Sequence, residues 1–210
     1  MGILQAIIIA IVEGLTEYLP ISSTAHMGFV AALMGMEESE YLKMFQISIQ
    51  FGAILAVVVL YWKKFFDFSN LTFYTKLIIA VIPALVLGFL FDDQIEAVLG
   101  NQIAISSVLI LGGVVLIFID RWFTNPKYTD EKQISTKTAF LIGFWQCLAM
   151  MPGTSRSAAS IIGGMVQGLS RKAAAEFSFF LAVPTMAAAT TYSVFLKTWG
   201  KGTSNAMKGY

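Results

Sequence analysis

Charge is scarce in this sequence. Of its 210 residues, 13% are Asp, Glu, Lys or Arg, against about a quarter in an ordinary soluble domain, while 57% are hydrophobic and the mean hydropathy is +0.72. That imbalance excludes a soluble globular protein and predicts an integral membrane protein. Cysteine is nearly missing: Cys147 stands alone, which excludes an intramolecular disulfide and any multi-cysteine metal site and leaves a small packing residue in an apolar helix. Histidine is as rare, with His26 the only one. No basic residue precedes the first apolar run, Ile3 to Val12, and no small-residue cleavage site follows it, so a cleaved signal peptide is not expected. Ala6 stands where a myristoylation pattern needs Ser or Thr. The net charge of +1 carries no signal for nucleic acid, and none is expected as a partner.

Long apolar runs fill the space that charge leaves. Phe51 to Trp62, Leu77 to Phe91 and Ile103 to Ile119, with their flanks, approach the ~20 residues that a spanning helix needs. Lipid offers no partner for an unpaired backbone group, so the chain is predicted to be all-α, a single polytopic membrane domain over residues 1–210. Lys63, Lys64 and Lys76 outweigh Asp67 in one loop, and Arg121, Lys127, Lys132 and Lys137 outweigh Asp120, Asp130 and Glu131 in another. Both loops are expected inside; the acidic loop Asp92, Asp93 and Glu96 is expected outside, with crossings at about 75–91 and 104–122. The tail lysines Lys197, Lys201 and Lys208 would then fall outside, against that rule.

Two stretches repeat one another. AIIIAIVEGLTEYLPISSTAHMGFVAALMG, from Ala6, continues through FQISIQFGAILAVV; AFLIGFWQCLAMMPGTSRSAASIIGGMVQG, from Ala139, continues through FSFFLAVPTMAAAT. Pro20 aligns with Pro152, Ser22-Ser23 with Thr154-Ser155, and Gly35 with Gly168. In each copy an apolar run too short to span meets a Pro and a hydroxyl cluster, then turns back into a second short run. A broken backbone at membrane depth needs protein or water around it, which predicts a re-entrant helix-loop-helix hairpin followed by a spanning helix. Counting from the inside loops, the first hairpin enters from the outside, through a Glu37–Lys43 loop, and the second from the inside. The copies, about 3–62 and 137–196, are therefore expected to be inverted, with a binding site near the midplane where the breaks meet.

The breaks carry chemistry. Glu13 and Glu17, four residues apart, project from one helical face, and a charge at membrane depth marks function by default. The pair suits a hard divalent cation, or one member suits proton acceptance; pairing with Lys nearer the interface is the plainer reading. Ser22, Ser23 and Thr24 offer hydroxyls and, at a helix start, free backbone N–H groups for an anion, or ordinary N-capping. His26 falls on the Ser23 face if a helix begins there, where it can activate Ser23 or protonate a leaving group. In PGTSRS, Arg156 among Gly153, Thr154, Ser155 and Ser157 suits a phosphate. Gln46 and Gln50 either face a cavity or join helices. Glu176 is open to the same two readings or to a salt bridge with Arg171 or Lys172, and the pairs Gly112-Gly113 and Gly163-Gly164 are expected to let helices approach closely. Together these residues form a phosphoryl-transfer set, which physics alone does not separate from anion transport.

EGLTEYLPISSTAH, IQFGAILAVV, MPGTSRS and EFSFFLAVP together resemble the undecaprenyl-diphosphate phosphatase family, also called bacitracin-resistance proteins, over nearly the whole chain. The resemblance implies a multi-pass enzyme of the bacterial inner membrane that removes the terminal phosphate of undecaprenyl diphosphate and so recycles the lipid carrier for peptidoglycan synthesis; the hairpin that enters from the outside predicts a site facing the outer side. It implies Glu13 and Glu17 as ligands of a divalent cation, Mg2+ or Ca2+, and Glu17, Ser23, His26 and Arg156 as catalytic residues. Substrate binding would fall to Ser22, Thr24, Gln50, Gly153, Thr154, Ser155 and Ser157. The attacking group would be Ser23 or a water, with Glu17 or His26 as base. A flippase or anion transporter using the same site is the rival reading, and an intramembrane protease using Ser23 with His26 a second. The partners implied are undecaprenyl diphosphate and membrane lipid; a homodimer is left open. Two positions depart from the family pattern: Ala25 stands where Gly is common, and Ser160 where Thr is usual. Family members also continue through further C-terminal hydrophobic segments, which are absent from this sequence.

Overall fold

The computed structural model describes residues 1–37, 39–69, 71–91, 94–95 and 102–191. The acidic segment Asp92, Asp93 and Glu96, the tail lysines Lys197, Lys201 and Lys208, and the last residues of the second repeat lie outside the described residues. Within them the chain is helical: α1 (Ile3–Thr16), α2 (Ser23–Leu33), α3 (Glu40–Leu60), α4 (Trp62–Phe65), α5 (Leu71–Leu90), α6 (Gln102–Trp122), α7 (Thr136–Gln146), α8 (Arg156–Val166) and α9 (Arg171–Thr191). Four of these, α3, α5, α6 and α9, hold windows of 20 or 21 residues long and apolar enough to cross a membrane, as a polytopic membrane protein requires. By contrast α1, with 14 residues, measures about 21 Å at 1.5 Å per residue, and α2, α7 and α8, with 11 each, are shorter still. None of the four matches a hydrocarbon core of about 30 Å.

Local chemistry sets the boundaries. Ser39, Ser135 and Ser155 each cap a helix, their Oγ atoms accepting from the backbone N–H groups of Leu42, Thr138 and Ala158. Ser39 starts α3 at Glu40, several residues before the expected position near 44, and so shortens the expected outer loop. The two aligned segments also stop alike. Gly35 and Gly168 take φ of +66° and +91°, and in each turn the next residue donates back to a helical carbonyl, Met36 to Ala31 and Leu169 to Gly164, both at 3.0 Å. This is the left-handed glycine stop of a helix, a conformation that a Cβ would strain.

Helix α9 is the hub, packing on α8, α3 and α5; α5 packs on α7, α7 on α8, and α1 on α2 and α3. The core lies where these meet: Phe177, Phe180 and Leu181 of α9 are buried with Leu77, Ala80, Ala139 and Ile142. Tyr61, Phe65 and Phe73 meet Phe180 edge-on at centroid distances of 5.0–5.8 Å, the arrangement ring quadrupoles favour. A smaller cluster, Ile9, Met27, Ala31 and Leu42, joins α1, α2 and α3.

Close crossings depend on glycine at particular points. A Cβ at Gly143 would collide with the Ala80 carbonyl, and at Gly163 and Gly164 it would come within 2.5 Å of Trp145 and 2.8 Å of Ala174. The expectation for Gly163-Gly164 therefore holds. For Gly112-Gly113 it does not among the described residues, where nothing lies within 4 Å of a Cβ built at either position. A pair of small residues permits close approach but does not supply the neighbour. Glu176 lies 4.0 Å from Lys64 and so links two helices, while Arg171 pairs instead with Asp120. Lys64 in addition pairs with Glu131 and sits 4.1 Å over the Phe180 ring. Glu131 is 5% exposed, and burial first, then its neighbour Asp130, holds its carboxyl above the usual range against the pull of Lys64.

Candidate active site

The first break follows α1. Glu17 closes that helix, its N–H bonded to the Glu13 carbonyl at 2.9 Å. Pro20 and Ile21 then carry the chain to Ser22, which has φ +65°. A left-handed conformation is costly for a residue with a Cβ and marks a position held by its surroundings. It turns the chain so that α2 starts at Ser23 with the serine side chain directed back to α1: Ser23 Oγ donates to Glu17 Oε2 at 2.6 Å, with the pair buried. The second break is shaped by Gly153, at φ +90°. A Cβ there would strike the Ile105 carbonyl of α6. Ser155 caps α8 and Arg156 is its first residue.

The two breaks meet. Arg156 Nη2 donates to Glu17 Oε1 at 3.1 Å, and the side chains are 11% and 6% exposed. Its other terminal nitrogen, Nη1, donates to the Ser178 carbonyl of α9 at 3.2 Å, while Nε is buried without a partner. Ser160 fixes the same turn from beneath: its Oγ donates to the Arg156 carbonyl at 2.9 Å and lies 2.7 Å from Ser178 Oγ. Ser157 ties the breaks a second time, its Oγ donating to the Leu19 carbonyl at 2.8 Å and lying 2.9 Å from Ser155 Oγ. Tyr18 secures the first break to α3, donating to the Ala53 carbonyl at 2.6 Å.

Glu13 stands apart in its satisfaction. It is 1% exposed, and neither carboxylate oxygen makes a geometrically sound hydrogen bond among the described residues, although Glu17 and Arg156 are its charged neighbours and the Ser23 side chain lies close by. A buried carboxylate in that condition needs a cation or a proton. Two carboxylates facing one guanidinium leave a deficit of positive charge. Among the described residues no group of three or more His, Cys, Asp or Glu side chains could by itself hold a metal ion. The donor set instead fits an ion of the magnesium type, which is commonly held by one or two carboxylates plus substrate phosphate.

Of the expected residues, Glu13, Glu17, Ser23 and Arg156 converge. His26 is nearby but turned elsewhere: its Nδ1 lies 2.9 Å from the Ser22 carbonyl and its ring meets Phe29 edge-on. The partner of the Ser23 hydroxyl is therefore Glu17. Thr24 is exposed and accepts from Gln50 Nε2 at 3.1 Å, which joins α3 to α2. Ser155 and Ser157 are engaged within the protein, and Gly153 and Thr154 are half-buried at the tip. Cys147, half-buried, donates to the Gly143 carbonyl at 3.4 Å. Sequence reasoning missed Ser178, which bonds Arg156 through its carbonyl and Ser160 through its hydroxyl; a lone hydroxyl in the apolar run EFSFFLAVP was the available signal.

The family described as "Bacitracin resistance protein BacA" matches residues 6–209. The chain belongs to the BacA family. Among curated BacA-like relatives, the undecaprenyl-diphosphatase of Flavobacterium johnsoniae is 52% identical over 191 residues, covering 90% of this chain and 71% of the relative. That of Porphyromonas gingivalis is 49% identical over 212 aligned positions, 93% and 75% of the two chains. The Aquifex aeolicus enzyme of the same name is 46% identical over 192 residues, 90% and 74%.

Proposed function

We infer that this chain is an undecaprenyl-diphosphatase, a membrane hydrolase that cleaves the terminal phosphate from undecaprenyl diphosphate. The observation that carries the reading is Glu17, whose two oxygens are divided between the Ser23 hydroxyl and the Arg156 guanidinium. A hydroxyl with an adjacent carboxylate and a cationic clamp is the minimum set for phosphoryl transfer. The names and identities of the relatives support the same activity, and a flippase gains no support from them.

In the proposed reaction Ser23 Oγ attacks the terminal phosphorus and passes its proton to Glu17. The new O–P bond forms as the bond to the bridging oxygen breaks, and undecaprenyl phosphate departs. Glu17 gives up that proton as the leaving phosphate departs and, again a carboxylate, deprotonates a water that attacks phosphorus. The Ser23–P bond breaks, Ser23 Oγ takes the proton back from Glu17, and inorganic phosphate is released. Direct attack by a water held at Glu17 needs the same base. Arg156 would meet the equatorial oxygens with its unpaired Nε–H, where charge is spread in the transition state. Glu13 and Glu17 would hold a divalent cation, which supplies further neutralisation of phosphate charge. His26, three positions beyond Ser23 and held through Nδ1 on the Ser22 carbonyl, would serve the leaving oxygen through its other ring nitrogen.

The finer architecture belongs to the same proposal. Short α1–α2 and α7–α8 pairs, each closed by the same glycine turn, support two re-entrant hairpins of inverted topology. The basic loops of the sequence support a bacterial inner-membrane location with α1–α2 entering from the outer side. The reading is tested by phosphate release from purified protein in detergent. Loss of activity in Ser23→Ala, Glu17→Gln and Arg156→Ala supports the site, and full activity in all three sinks it.

A further inference from the structure

Beside the polar cluster lies an apolar cavity of about 140 Å³, lined by residues that include Tyr18 and Pro20, Leu116 and Ile119 of α6, Ile162 of α8 and Phe179 of α9. Its wall is contiguous with the site in the chain itself. Tyr18 follows Glu17, and Phe179 follows Ser178, whose carbonyl holds Arg156. Ile161, also on the wall, follows Ser160, whose hydroxyl holds the Arg156 turn.

The lining is mostly apolar. The Tyr18 hydroxyl is committed to the Ala53 carbonyl, and Arg171, at the far end, is paired with Asp120. The outer wall, α6, is the least buried of the four candidate spanning helices. Helix α6 is fixed near one end, where Gly153 abuts Ile105, and near the other by the Asp120–Arg171 pair. Between them, among the described residues, Gly112 and Gly113 meet nothing within 4 Å, and Ile110, Leu111 and Ile117 are exposed.

We propose that this cavity, between α6 and the first break, receives the isoprene unit nearest the diphosphate of the substrate and so fixes the phosphorus against Ser23. The proposal rests on the diphosphatase reading above. Size agrees: an apolar cavity of about 150 Å³ holds a six-carbon ring, close to one isoprene unit. Chemistry agrees as well, because a mostly apolar wall favours an apolar ligand, and a prenyl diphosphate carries such a group next to its charge. The rest of the chain would pass out beside α6 into lipid.

The test fills the cavity from two different helices, with Leu116→Trp and Ala175→Leu, and measures hydrolysis of farnesyl diphosphate in detergent. Ala175 is the second lining position on α9. Excluding one prenyl unit from an apolar pocket is expected to raise KM about tenfold or more, with kcat held within about twofold. A fall in kcat at unchanged KM, or no change in either variant, overturns the proposal. A prenyl diphosphate with a benzophenone beside the diphosphate gives an independent reading on the unaltered protein. Crosslinks at Leu116, Ile162 or Phe179, competed by undecaprenyl diphosphate, support the cavity; competed crosslinks confined to residues outside it overturn it. If the unaltered protein hydrolyses no prenyl diphosphate, the diphosphatase reading fails instead, while the crosslinks still judge the cavity.

Discussion

Arg156 and Glu17 stand 139 positions apart in sequence and 3.1 Å apart in space. With side chains 11% and 6% exposed, the pair is poorly screened, and removing either partner strands the other charge in a low-dielectric interior. The same contact joins the two breaks and orients the carboxylate that faces Ser23.

Arg156→Lys should therefore be far from conservative. A lysine cannot reach the Glu17 carboxylate and the Ser178 carbonyl together while presenting a third donor. We expect kcat/KM for undecaprenyl diphosphate to fall about 100-fold, with Arg156→Ala lower still. Phosphate release under single-turnover conditions measures it; wild-type rates in Arg156→Lys would remove the guanidinium from the reaction.

Glu13→Gln separates a cation ligand from a structural carboxylate. The amide keeps the shape and loses the charge, so half-saturating magnesium should rise about tenfold or more and EDTA should abolish what activity remains. Unchanged magnesium dependence would place Glu13 outside any metal site.

Ser157→Ala should weaken the link between the breaks without touching the reacting groups. Its Oγ bond to the Leu19 carbonyl is worth about 1 kcal/mol, and that carbonyl keeps the Ile21 N–H at 2.8 Å. A modest drop in the thermal midpoint, read by fluorescence in detergent, is the expected outcome. A large rate loss with no loss of stability would assign the hydroxyl to substrate instead.

Lys64→Ala removes the cation beside buried Glu131 and should cost a few kcal/mol in a pH-dependent way. Burial holds the folded-state pKa of Glu131 above its unfolded value, and losing Lys64 raises it further. Between those two values the folded state keeps a proton that the unfolded state has lost, so stability falls as pH rises through the window. The deficit against the unaltered protein should be larger at pH 8 than at pH 5. A pH-independent deficit would show that Lys64 acts through its packing on Phe180.

Gly143→Ala probes the closest crossing of the fold. Its Cβ would meet the Ala80 carbonyl, a backbone atom that cannot rotate away. We expect a loss of about 1–3 kcal/mol, the usual range for overpacking, visible as a lower denaturation midpoint.

The sequence by itself determined the helices, because apolar run length and backbone satisfaction in lipid leave no other regular structure, and Ser caps and glycine stops are local signals. It also singled out Glu13, Glu17, Ser23 and Arg156, because charge and hydroxyl clusters are conspicuous where charge is scarce. Only the tertiary structure decided which groups touch. Spacing placed His26 on the Ser23 face, yet the left-handed turn at Ser22 gives the Ser23 hydroxyl to Glu17 and leaves His26 on a carbonyl. Spacing gave Gly112-Gly113 and Gly163-Gly164 the same role, yet among the described residues only the second pair has neighbours. Ser178 stayed hidden because a backbone carbonyl carries no sequence signal, and the cavity beside Tyr18 because its walls come from four separate segments. Local periodicity fixes what a helix is; which side chains meet across helices depends on distances that only packing sets.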